Sequence, residues 1–119
     1  MLQPLDRQRY HEFKQALEQL HKSAATPELE VAAVREKFQA VQQLFQSKII
    51  CLTADDLGED YTSRWQSFQT EIYKQMRLLE TDMMLLQASR SSATSISRAR
   101  NISDRINTLI QYCQALLQL

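Results

Sequence analysis

Apolar residues recur along this chain at alternating spacings of three and four, almost from end to end, with three short polar interruptions. That period matches the α-helical turn, so each uninterrupted stretch reads as a helix with one buried stripe. The first covers about residues 4–23, where Pro4 suits the first turn because its missing N–H would have no intrahelical partner there. Its stripe is Leu5, Tyr10, Phe13, Leu17, Leu20 and Ala24. The break Ala24-Ala25-Thr26-Pro27 predicts a second helix over 27–52, with Thr26 as its cap and Pro27 in first position. Glu28 and Glu30 then favour the positive end of its dipole. Its stripe is Val31, Val34, Phe38, Val41, Phe45, Lys48 and Leu52, with Lys48 free to snorkel to water.

The second break, TADDLGED at residues 53–60, contains the sole glycine, Gly58. A third helix over 61–90 follows, with Tyr61, Trp65, Phe68, Ile72, Met76 (or Gln75), Leu79, Met83 and Leu86 on one face. The serine-rich SRSSATSIS offers several N-caps for a fourth helix over 95–118, which aligns Ala99, Ile102, Ile106, Leu109, Cys113 and Leu116. Four such helices with short connections predict an all-α fold, an antiparallel up-down four-helix bundle spanning 1–119 as one domain. Two long hairpins that complete their core by dimerising are the alternative. Leu78, Leu79 and the run Met83 to Leu86 spread apolar side chains wider than one stripe, which favours self-association as a homodimer. Coverage of both flanks by the first and fourth helices is the plainer explanation.

Composition narrows the class. At 119 residues, 44% hydrophobic and 24% charged, the chain is ordinary globular material for a single domain. Its longest apolar runs are four residues, which predicts no membrane insertion, and MLQPLDRQRY lacks the apolar core of a secretory signal. Cys51 and Cys113 are unclustered and read as small hydrophobes in a reducing cytoplasm.

The formal net charge of zero conceals a polarity. Asp55, Asp56, Glu59 and Asp60 crowd the second break, where capping and solubility explain them, and the spacing of a calcium loop is missing. Arg90, Arg98, Arg100 and Arg105 crowd the third break and the start of the fourth helix, against the single acid Asp104. In an up-down bundle the arginines share a pole with Thr26 and the Met83–Leu86 run, opposite the acidic break. Cations near a helix N-terminus oppose the dipole, and guanidinium is the group that grips carboxylates and phosphates bidentately. A solvated face with ion pairs inside the bundle is the plain alternative to a docking surface.

Catalytic chemistry finds little support. Glu18-x-x-His21 has the spacing of carboxylate-bridged di-metal bundles, but the only other histidine, His11, has no matching partner. One glycine cannot build a phosphate-cradling loop, and neither a nucleophile elbow nor zinc spacing occurs. The expectation is a non-enzyme without cofactor or metal. Net neutrality and the lack of a helix-turn-helix pattern count against nucleic acid.

Residues 64–82 (RWQSFQTEIYKQMRLLETD), continuing into LLQASR at 85–90, together with YCQALLQL at 112–119, resemble the heterocyst frequency control protein PatD family of filamentous cyanobacteria. The resemblance covers about residues 60–119. The first half fits in length, in Tyr10 and Phe13, and in VQQLF at 41–45. It implies a small cytoplasmic regulator that limits heterocyst differentiation by contacting the tubulin-like division GTPase FtsZ and influencing its assembly. It carries over no catalytic or interface residues. From the charge map, the expected partner surface is Arg90, Arg98, Arg100 and Arg105, with Met83 and Met84 supplying apolar area. The rival expectation is an accessory that binds nucleic acid or a transcription regulator through the same basic pole.

Overall fold

The computed structural model describes residues 2–52 and 59–119, Glu59 by its backbone only. Asp55, Asp56 and Gly58, and with them most of the acidic break, lie outside the described residues. The described residues form four α-helices: α1 (Pro4–Ala25), α2 (Val31–Leu44), α3 (Glu59–Gln87) and α4 (Ser92–Leu117). A single π-helical turn, Phe45–Ile49, extends α2. No strand occurs among the described residues, so the fold class is all-α.

α1 packs on both α2 and α4, α4 packs on both α1 and α3, and α2 meets α3 over only a short stretch. The result is an elongated body of 50 × 20 × 20 Å. Its core is the union of the four stripes. Tyr10, Phe13, Leu17 and Leu20 of α1 meet Val34 and Val41 of α2, Ile72 and Leu79 of α3, and Ile102, Ile106 and Leu109 of α4. Phe13, Phe45 and Tyr73 form an aromatic chain across three elements, with ring centroids 5.8 Å and 5.3 Å apart. Each such side chain contributes roughly 1.5–3 kcal/mol by leaving water.

Leu5 and Tyr61 are exposed, and Leu2 is buried in place of Leu5, which sits five residues before Tyr10 and so about 140° around α1 from it. Gln69, a polar residue that is not on the apolar stripe, is also buried.

Helix ends moved for identifiable reasons. α1 begins with Pro4 in its first turn and runs on through Ala24 and Ala25, both good helix formers. It stops at Thr26, which is extended (φ −70°, ψ 142°) because a residue preceding proline is pushed out of the α region. Thr26 therefore closes α1 rather than capping α2. Pro27, Glu28 and Leu29 form a connection in which Leu29 packs against the core, and α2 starts at Val31 behind Glu30, which makes no side-chain cap bond.

α2 does not continue to Leu52 as a regular helix. The N–H of Ile50 donates to the carbonyl of Phe45 at 2.9 Å, which widens the last turn. That widening brings Ile49 rather than Lys48 onto the buried stripe. Lys48 instead reaches across to α1 and donates to Glu12 at 2.9 Å.

At the other end, α3 finishes at Gln87. Ser91 caps α4, its hydroxyl oxygen accepting from the N–H of Thr94 at 3.1 Å. α4 therefore begins at Ser92, three residues before the expected start at 95.

Candidate docking surface at the arginine end

Between Asp82 and Asp104 the sequence contains no acid and three arginines. These residues form the end of α3, its connection to α4 and the first turns of α4. Arg90, on the connection, is exposed; Arg98 is half-buried; Arg100 is exposed. Among the described residues none of the three is in an ion pair. Excess positive charge thus sits near the N-terminus of α4, where the helix dipole adds to it.

Arg105 has a different role. Its Nε donates to the Asp82 carboxylate and its Nη1 to Gln75 Oε1 at 3.0 Å. The side chain thereby bridges α4 to α3, and its charge is answered inside the molecule. Arg105 belongs to the bundle's internal bonding, as the plain reading of these charges allows.

The apolar part of the expected surface also divides. Met83 is only 1% exposed and lies in the core with Leu79 and Leu86. It has no area to offer a partner, because its position on the α3 stripe faces the other helices. Met84 is 66% exposed, while Leu78 and Leu85 are partly exposed. At about 100° per residue, Leu78 and Leu85 share one flank of α3 and Met84 lies on the opposite flank. The expected continuous Met83–Leu86 patch is therefore a core stripe with two narrow margins. Met84 borders a shallow groove of about 210 Å³ along the α2–α3 seam, where Arg35, Glu80 and Gln87 supply polar rims.

A second groove lies at the same end, between the α1–α2 connection and α4. Its volume is about 330 Å³. Ala24 and Ala99 form its floor, Pro27, Leu29 and Ile96 its apolar walls, and Arg100 stands at its rim. Thr26 lines it too, so Arg100 and Thr26 share this pole as the charge map implied. Ser103 is at its inner edge and shares a 2.9 Å hydrogen bond with His21 Nε2, which ties the end of α1 to α4. The same bond accounts for His21, while Glu18 pairs with Lys14 at 3.6 Å. The Glu18-x-x-His21 spacing is thus spent on protein partners. Among the described residues no three His, Cys, Asp or Glu side chains gather as a metal ion would require.

This groove was hidden from stripe reading by its own cause. Both the α1 and α4 stripes end in alanine at this end, which periodicity scores as core. Only the packing shows two short side chains facing the same space.

Comparison with protein-family models, with curated proteins and with solved structures finds no match for this chain. No helix among the described residues is long and apolar enough to cross a membrane.

Proposed function

We propose that this chain is a non-enzymatic, cytoplasmic helical adaptor that binds the division GTPase FtsZ and modulates its assembly, thereby limiting how often cells become heterocysts. The choice of FtsZ rests on the resemblance of residues 60–119 to the PatD family. The observation that carries an adaptor role is the acid-free stretch between Asp82 and Asp104, whose Arg90, Arg98 and Arg100 have no ion-pair partners among the described residues. A guanidinium cluster of this kind suits an acidic partner surface.

The helices are proposed to run alternately up and down, with short connections joining sequential neighbours. Self-association as a homodimer accompanies this reading. The exposed Met84 beside Arg35 and Glu80 gives the α2–α3 seam an apolar knob between charges of both signs, which a two-fold partner could answer. Two copies would present two equivalent partner surfaces and could bridge filaments.

Co-sedimentation with FtsZ and GTP at low and at moderate salt tests the proposal. Enrichment in the polymer pellet that falls with salt supports docking through the arginine end. Enrichment insensitive to salt keeps FtsZ but moves the contact to Met84 and its neighbours. Absence from the pellet at both salts removes FtsZ as the partner.

A further inference from the structure

We propose that the groove between the α1–α2 connection and the start of α4 is a docking cleft for a short acidic and aliphatic segment of a partner protein. Arg100 would take a carboxylate, and the alanine floor an aliphatic side chain. The inference rests on reading the arginine end as a partner surface, and it specifies where on that end a partner would seat and with what chemistry.

The floor comes first. Along α1 the core stripe passes through Tyr10, Phe13, Leu17 and Leu20 and then drops to Ala24. Along α4 it starts at Ala99 before rising to Ile102, Ile106 and Leu109. The two alanines, both nearly buried, line one opening at one end of the molecule. The opening is a surface groove, since Ala25, Thr26, Pro27, Ile96 and Arg100 around it are exposed.

The walls suit an aliphatic group. Pro27, Leu29 and Ile96 face the opening. Ile96 is 52% exposed, a branched apolar side chain at the mouth that its neighbours leave half uncovered. Thr26 and Ser103 add hydroxyls at the edge.

Charge then selects the occupant. Arg100 is exposed at the rim and lacks an ion-pair partner among the described residues. The nearby acids on the connection, Glu28 and Glu30, are exposed and do not line the groove. A single guanidinium beside apolar walls matches one carboxylate next to one aliphatic side chain, a juxtaposition that a peptide supplies. A nucleic-acid backbone needs cations in series and gains nothing from an alanine floor.

The test uses the intact, isotope-labelled protein and short synthetic peptides, without FtsZ. One peptide places leucines beside aspartates, a second replaces the aspartates with asparagine, and a third replaces the leucines with alanine. The first should shift the amide resonances of Ala25, Thr26, Ile96 and Arg100, and each control should bind about tenfold more weakly. Arg100→Gln should weaken the first peptide to the level of its asparagine control. Ala25→Trp, an exposed position on the groove wall, should block binding while leaving the melting temperature unchanged.

Shifts located elsewhere, equal binding of the asparagine control, or no shift at all would overturn the proposal. So would groove resonances that respond to protein concentration rather than peptide, since a second copy would then be the occupant. Because FtsZ is absent, failure in the pelleting experiment leaves this result standing, and failure here leaves any pelleting result intact.

Discussion

Gln69 links α3 to α1 and to the end of α2. It is 5% exposed, and its Oε1 accepts from the Tyr10 hydroxyl while its Nε2 donates to the Ile49 carbonyl at 3.1 Å. Tyr73 completes the arrangement by donating to the Ile50 carbonyl at 2.8 Å. Two α3 side chains therefore bond to carbonyls at the end of the π-turn, Gln69 sharing that of Ile49 with the N–H of Leu52 and Tyr73 taking that of Ile50. Gln69→Leu keeps the bulk but takes the acceptor from the buried Tyr10 hydroxyl, while the Ile49 carbonyl keeps the N–H of Leu52, so it should cost about 1–3 kcal/mol in urea unfolding. Tyr10→Phe should cost about 1 kcal/mol, since Gln69 retains its second partner.

Burial also raises the Tyr10 phenol above its ordinary value and pushes the Cys113 thiol up from 9.0 to about 12. The unfolded chain releases these protons earlier than the native one. Their contribution to stability is whole below about pH 9 and declines as pH rises toward about 12. The melting temperature should fall across that alkaline window. Cys113→Ala should lower it at neutral pH, through the cavity, while making the alkaline slope shallower. At the acid side, Lys48 holds the Glu12 carboxyl below its usual range, so that pair helps only above the ordinary carboxylate titration and is lost as pH falls.

At the scale of the helices, the ends carry the testable contrasts. Ser91 is a working cap, bonded both to the Thr94 N–H and, at 2.8 Å, to the Thr94 hydroxyl. Ser91→Ala should destabilise by about 1 kcal/mol in thermal or urea unfolding. Glu30 occupies the equivalent place before α2 with extended backbone but no side-chain cap bond. Glu30→Ser should therefore stabilise by roughly 0.5–1 kcal/mol, the opposite sign from a change of the same kind. Sequence reading located all four helices and misplaced α2 at both ends. At its start, Thr-Pro resembles a cap followed by a first turn, but here the same pair closes the preceding helix. At its end, an inserted residue in a π-turn leaves no mark in a stripe that tolerates either Lys48 or Ile49.

Across the whole molecule, the arginines separate by partner. Arg105 joins α4 to α3 through Asp82 and Gln75, whereas Arg98 and Arg100 join nothing by ion pairs among the described residues. Arg105→Ala should lower the melting temperature by a few degrees, because a partly buried Asp82 loses its counter-charge. The double substitution Arg98→Glu with Arg100→Glu should leave helicity and melting nearly unchanged while reducing co-sedimentation with FtsZ. If that double variant pellets like the parent chain, the arginine end is not the contact. Met84→Glu should act on a separate property, weakening any concentration-dependent dimer seen in sedimentation velocity, because it places a charge on the exposed knob of the α2–α3 seam.

The all-α class, the helices and nearly every core residue were legible in the order of residues alone. A period near 3.6 is a local property that each stretch carries whatever its neighbours do. The concentration of arginine after Asp82 is equally legible, since charge is read directly from residue type. Which of those arginines stay without ion pairs among the described residues followed from packing, because Arg105 finds Asp82 across a helix interface that no spacing encodes. Packing also buried Gln69, whose polarity argues for the surface until a phenol and a carbonyl from two other elements meet it. The alanine-floored groove belongs to the same category, since a void is a relation between distant short side chains.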